Sequence, residues 1–130
     1  MAQHSNVQTI DRMTQAALNG DTAELSKIFT DEMVFHVRGT LPRVGDHRGA
    51  SGFLSVIESI FEITKGDLKL EQLFAIAEGN WAVEWERAVF GRDGKKLEQY
   101  DSFVYRFEEG RIVEMWMIGA GNPEDAAFFA

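Results

Sequence analysis

The sequence predicts an α+β fold in which a curved, cone-shaped antiparallel sheet wraps around one long helix, with two further helices ahead of it. Three observations lead there. Two stretches with apolar residues at helical spacing come before any alternating segment, so helices open the chain. A third such stretch is followed only by alternating segments divided by tight-turn residues, the pattern of a meander. Each helix is apolar on one face only, which requires a sheet to cover it.

Ser5 with Gln8 forms a capping-box pattern, and Val7, Ile10, Met13 and Ala17 then recur at helical spacing until Asn19-Gly20 ends the run. Asp21 with Glu24 opens a second, shorter helix whose stripe is Leu25, Ile28 and Phe29. Met33 to Arg38 alternates as a first strand, with Met33, Phe35 and Val37 on one side and Val34, His36 and Arg38 on the other. The Gly-, Pro- and charge-rich stretch from Thr40 to Gly49 reads as a loop carrying Arg43, Asp46, His47 and Arg48. From about Ser51 to Thr64, Phe53, Leu54, Ile57, Ile60 and Phe61 make the broad stripe of the long helix.

The remainder is strand. Leu68 and Leu70 alternate, and the phase then shifts to Leu73, Ala75 and Ala77, which places a bulge near Glu71 or Gln72. Gly79-Asn80 turns the chain into a strand from Trp81 to Phe90, and Asp93-Gly94 is a two-residue hairpin signal. Leu97 to Ile118 forms two long strands about a turn at Glu108, Glu109 and Gly110. Pairing Phe107 with Arg111 puts Asp101, Phe103, Tyr105 and Phe107 on one face with Met117, Met115 and Val113. That face is apolar apart from Arg111 at the turn and Asp101 at the far end. Beyond it, Asn122 is placed to cap a short terminal turn with Pro123 at its first position, and Phe128 and Phe129 are expected to dock against the rest of the chain.

At 130 residues, 45% hydrophobic and 26% charged, the chain is expected to be one domain, residues 1–130, of ordinary globular composition. A net charge of −8 opposes phosphate backbones and anionic lipid surfaces, so neither nucleic acid nor membrane is an expected partner. No cysteine is present, which removes disulfide and thiolate chemistry and suits a reducing cytoplasm. The first residues lack the pattern of a signal peptide, and no apolar run reaches transmembrane length.

Three segments, NGDTAELSKIFTDEMVFHV (19–37), HRGASGFLSVI (47–57) and FVYRFEEGRIVEMW (103–116), together resemble the nuclear transport factor two-like, or cystatin-like, superfamily. Within it the chain is similar to the SnoaL-like polyketide cyclase and ketosteroid isomerase group. The resemblance implies a conical pocket, and it implies no single chemistry, because this fold carries isomerases, cyclases, hydrolases, dehydratases and binding modules. The isomerases use a general-base Asp, a Tyr and a protonated Asp. At the matching positions this chain has Val37, Met13 and Phe103, none able to move a proton. For the Asp-Arg-Asp set of the limonene epoxide hydrolase-like enzymes, Arg87 matches the Arg, while Val89 and Met117 stand at the carboxylate positions.

The candidate chemistry therefore rests on other residues. Either a two- or a four-residue loop at Asp93-Gly94 puts Glu84 and Glu86 on the face of Gln99 and Asp101, a carboxylate cluster that would raise at least one pKa. The competing register turns both glutamates to solvent. Asp101 is the candidate acid/base, His36 its candidate second group, and Tyr105 a candidate hydrogen-bond donor to a ligand carbonyl. His36 also fits a partly exposed structural role. Met13, Phe35, Val37, Phe53, Ile57, Phe103, Met115 and Met117 are the candidate apolar contacts for a hydrophobic small-molecule ligand, with Glu84, Glu86 and Gln99 as polar ones. Three scattered histidines make no metal site, and no nucleotide or phosphate motif occurs, so no metal or cofactor is expected. On the opposite face Trp85 and Trp116 join Val83, Val104 and Ile118 in an apolar patch, for which sheet-to-sheet homodimerisation is the expected cover. A non-catalytic ligand carrier and a pure association module are the alternatives to an enzyme.

Overall fold

A computed structural model describes residues 4–119 and 123–130. Helix α1 (Ser5–Asn19) is followed by α2 (Thr22–Ile28), β1 (Phe29–Arg38), β2 (Gly45–Arg48), α3 (Gly49–Thr64), β3 (Leu68–Glu78), β4 (Trp81–Arg92), β5 (Lys95–Glu108), β6 (Arg111–Gly119) and α4 (Pro123–Phe129). The six strands form one curved sheet in the order β2-β1-β6-β5-β4-β3. All pairings are antiparallel except β1 with β6, which run parallel. Helix α3 lies across β1, with Phe53 packed on Phe29 and Phe35 at ring separations of 5.0 and 5.2 Å. The core lies between these helices and the concave face of the sheet, where Met33, Phe35, Val37, Tyr105, Phe107 and Met115 are fully buried.

Local signals set most boundaries. Asp21 caps α2 by accepting from the Glu24 N–H at 3.1 Å, and Gly20 ends α1 in a left-handed conformation. The cap of α1 is His4 rather than Ser5: its Nδ1 accepts from the Asn6 N–H at 3.1 Å, one residue ahead of the capping-box reading. Phe29 leaves α2 and starts β1 four residues before the expected strand. No glycine is needed at that helix end because the Arg111 guanidinium donates to the Ser26, Lys27 and Phe29 carbonyls. Within the expected loop from Thr40 to Gly49, residues 45–48 pair with β1 as a short edge strand.

Bulges in β3 and in the closing hairpin set the face assignments of β3 and β6. In β3 the register shifts between Gln72 and Phe74, one residue beyond the expected position, so that Leu70 and Gln72 face inward ahead of it and Ala75 and Ala77 after it. In the closing hairpin the turn is Glu109-Gly110, both at positive φ (51° and 77°), which makes a two-residue loop with Glu108 opposite Arg111. This corrects the Phe107–Arg111 pairing. With that loop alone, Tyr105 would face Glu114 and drive an acid into the core. A bulge at Val113 restores the phase: Phe107 pairs with Ile112 and Tyr105 with Met115, so Ile112 rather than Val113 is buried.

At the C-terminal end, Phe129 packs edge-on against Phe90 at 5.2 Å, and Arg92 Nη1 donates to the Phe128 and Ala130 carbonyls. The expected Asn122 cap lies outside the described residues. Among the described residues no helix is long and apolar enough to cross a membrane.

Candidate functional site

From Glu84 to Ala88 and from Gln99 to Phe107 the concave face alternates residue by residue, and the Asp93-Gly94 loop sets the register of β4 on β5. Both loop residues have positive φ (51° and 78°), Arg92 pairs with Lys95, and Glu86 thereby falls directly opposite Asp101 and Glu84 opposite Phe103. Both glutamates are turned inward: Glu84 is 2% exposed, Glu86 7% and Asp101 0%. The outward positions between them go to Val83 and Trp85.

These carboxyls line a cavity of about 70 Å³. Its walls are Met13, Thr14, Ala17 and Leu18 from α1, Phe53, Ile57, Ile60 and Phe61 from α3, and Leu68 and Leu70 from β3. Phe35, Phe90, Phe103, Tyr105, Met115 and Met117 complete it from the sheet. A water needs roughly 10–15 Å³ in such a space, so a cavity of this size accepts a few waters or a small group. A larger ligand must spread the mouth, where Leu18 and Leu70 are partly exposed.

Asp101 Oδ1 accepts from Gln99 Nε2 at 2.7 Å, while Asp101 Oδ2 and Gln99 Oε1 are buried with no hydrogen-bond partner among the described residues. Tyr105 donates its hydroxyl to Glu84 Oε1 at 2.8 Å, and Gln72 Nε2 donates to Glu84 Oε2 at 2.7 Å. Burial raises the Glu84 pKa, against the opposing pull of those two donors. Glu86 is pushed up to about 8 by burial first and then by the neighbouring Glu84 and Asp101 carboxyls. Burial lifts Asp101 to about 6, with the Gln99 hydrogen bond opposing and Asp125 adding to the rise. Tyr105 is held well above the ordinary phenol value by burial and by Glu84, so it keeps its proton. Near neutral pH, Glu86 therefore holds a proton and Asp101 has largely released its own, an adjacent acid and base in one apolar cavity.

Of the sequence-derived candidates, Asp101, Tyr105, Met13, Phe35, Phe53, Ile57, Glu84, Glu86, Phe103, Met115 and Met117 line this cavity. Gln99 stands behind it as the donor to Asp101, and Val37 is buried in the core without lining it. Tyr105 directs its hydroxyl to Glu84 rather than to the lumen.

His36 does not join the site. The alternation of β1 puts it on the outer face, where Nδ1 meets Asp46 Oδ1 at 2.8 Å and Nε2 meets Glu114 Oε2 at 2.7 Å. Hydrogen bonding to His36 is the main reason that both carboxyls lie below their ordinary range. His36 also stacks on Trp116 at 5.2 Å. Arg87 likewise faces outward, donating to Glu98. Sequence reasoning omitted Thr14, Ala17, Leu18, Ile60, Phe61, Leu68, Leu70 and Phe90 from the site. Helical spacing from Met13, Phe53 and Ile57, and alternation along residues 68–70, carry the signal for most of them. Among the described residues no cluster of three or more His, Asp or Glu side chains is placed to hold a metal ion.

Comparison with known proteins agrees with this architecture. A family model described as a SnoaL-like domain matches residues 10–115. A Xanthomonas campestris protein of unknown function with a cystatin-like fold superposes with a TM-score of 0.79 at 23% identity, covering 96% of this chain and 98% of that one. IdmH, a putative polyketide cyclase from Streptomyces antibioticus, gives 0.74 at 21% identity over 90% and 93%. An NTF2-like protein from Burkholderia xenovorans LB400 gives 0.76 at 15% identity over 98% and 96%. At these identities the likeness establishes the fold. No curated protein matches the chain at a significant level.

Proposed function

The chain belongs to the SnoaL-like domain family, and on that premise we propose that it binds a hydrophobic small molecule in the cone and performs cofactor-independent acid/base chemistry on it. The reaction class is isomerisation, cyclisation, or hydration and dehydration. The observation that carries the reading is the Glu86–Asp101 pair, two carboxyls opposite each other on neighbouring strands in an apolar cavity. Asp101 acts as the base, Glu86 as the acid, and the Tyr105–Glu84–Gln72 chain of hydrogen bonds fixes the second glutamate beside them. IdmH, described as a putative polyketide cyclase, supports the same class.

A carrier reading keeps the same cavity without turnover, and the partial occupation of Asp101 by Gln99 favours it. Assaying wild type and Asp101→Asn against a panel of neutral cyclic ketones and polyketide-like enols separates the two. The enzyme reading expects turnover that the substitution removes while binding persists. Binding without turnover in wild type leaves the carrier.

The protein functions as a single domain in a reducing cytoplasm, with neither nucleic acid nor membrane as a partner, consistent with its charge of −8. It pairs as a homodimer through the outer sheet face. There Ile76, Trp81, Val83 and Ile118 are exposed beside the half-buried Trp85 and Trp116, the apolar surface that supports this pairing.

A further inference from the structure

We infer that Gln72 latches the mouth of the cone, its side-chain amide bridging Asp11 on α1 to Glu84 in the cavity, so that this positioning residue governs the passage of ligands. This rests on the cone being a ligand site and adds how it opens. Gln72 Nε2 donates to Glu84 Oε2 at 2.7 Å and to Asp11 Oδ1 at 3.1 Å. An amide nitrogen carries two protons, so both bonds hold at once. The bulge in β3 makes the bridge possible. Gln72 pairs with the inward Glu86, whereas carrying the Phe74–Trp85 register back without the extra residue would set it opposite Arg87, on the outer face.

The bridge lies where the cavity must open. Leu18 on α1 and Leu70 on β3 line the cavity and are partly exposed, so a ligand larger than a few waters enters by parting them. The cavity side chains of α1, namely Met13, Thr14, Ala17 and Leu18, all follow Asp11 in the helix. Asn6 Nδ2 pins the start of that helix to the Gly79 carbonyl at 3.1 Å. Parting Leu18 from Leu70 therefore means loosening the helix beyond Asn6, and the Asp11–Gln72 bond resists it. Both ends of the bridge are acids that take a donor. Glu84 is buried and gives its other oxygen to Tyr105, so losing Gln72 would leave Oε2 without a partner. Asp11 and Glu84 repel each other across the amide that joins them.

Neither Gln72 nor Asp11 lines the cavity, so breaking the bridge spares the contacts a ligand makes and changes the ease of its passage. The test is stopped-flow fluorescence with prodan, a neutral solvatochromic naphthyl ketone, on wild type, Gln72→Glu, Asp11→Ala and Asp11→Asn. Gln72→Glu keeps the side chain's shape without its donor, Asp11→Ala cuts the surface arm, and Asp11→Asn keeps an accepting oxygen. Association and dissociation are both expected to be about tenfold or more faster in the first two variants, with Kd within about twofold of wild type. Asp11→Asn is expected to keep rates near those of wild type. Wild-type rates in Asp11→Ala would overturn the latch and leave the ligand site standing. So would a weaker Kd with association unchanged, the mark of a merely structural role. If prodan binds none of the four proteins, the cone is not a ligand site and both readings fall. Asp11→Ala, on a helix where alanine is favourable, decides the matter even if Gln72→Glu does not fold.

Discussion

Asp101 and Glu86 reach their separate protonation states for reasons of place. Both are desolvated, but Gln99 donates to Asp101 and no described residue donates to Glu86, which the neighbouring Glu84 carboxyl also repels. A reaction that needs Asp101 ionised and Glu86 protonated should show a bell-shaped pH–rate profile, rising through about pH 6 and falling through about pH 8. Glu86→Gln should flatten the alkaline limb and keep the acid one, as steady-state rates between pH 5 and 9 would reveal. Asp101→Asn should lower turnover by roughly 10²-fold or more with little change in ligand affinity, read from kcat and a binding titration. At this scale the sequence was informative through parity alone. Loop length at Asp93-Gly94 put Glu84, Glu86, Gln99 and Asp101 on one face, yet it left open whether that face was concave. The same parity already had His36 opposite Phe35 and Val37, and the structure follows parity: His36 is bound up in the outer ion pairs with Asp46 and Glu114.

The elements show where local pattern stops being sufficient. The bulge in β3 was visible because apolar residues change phase around it, whereas the bulge at Val113 was not. Its neighbours Ile112 and Val113 are both β-branched and apolar, so either suits the core, and only the need to keep Glu114 beside Arg106 and His36 decides. The short strand β2 has no apolar alternation to reveal it and forms by pairing with β1. Gly119 on β6, opposite Asp101, illustrates a constraint of this kind. A Cβ there would lie 2.7 Å from Gln99 Nε2 and 3.3 Å from Asp101 Oδ1. Gly119→Ala should therefore push Gln99 away from Asp101, raise the Asp101 pKa further and shift the acid limb of the rate profile to higher pH. An unchanged limb would mean that the Gln99 contact does not set that pKa.

For the whole molecule, helices and sheet enclose the concave face and leave an aromatic convex face. The concave face makes stability depend on pH. Glu86 and Asp101 have folded pKa values above their ordinary 4.5 and 3.8, so the native state holds protons that the unfolded chain releases. Their contribution is fully present below about pH 4 and is lost as pH rises through about 6 and then 8. The lowered Asp46 and Glu114 act oppositely, but both are at the surface, where screening by water limits their effect. Urea unfolding should show stability falling by a few kcal/mol from pH 5 to pH 9, with a smaller fall in Glu86→Gln. For the proposed convex-face dimer, Val83→Lys should leave a monomer in sedimentation equilibrium where the wild type pairs, while changing protomer stability by no more than about 0.5 kcal/mol.

The cone keeps one of two facing carboxyls protonated at neutral pH. Titrating the side-chain carboxyl carbons by ¹³C NMR tests it without any substrate. Two steps are expected, near pH 6 and 8, the first absent in Asp101→Asn and the second absent in Glu86→Gln. Titration of every carboxyl in the protein below about pH 5, the ordinary range, would contradict it.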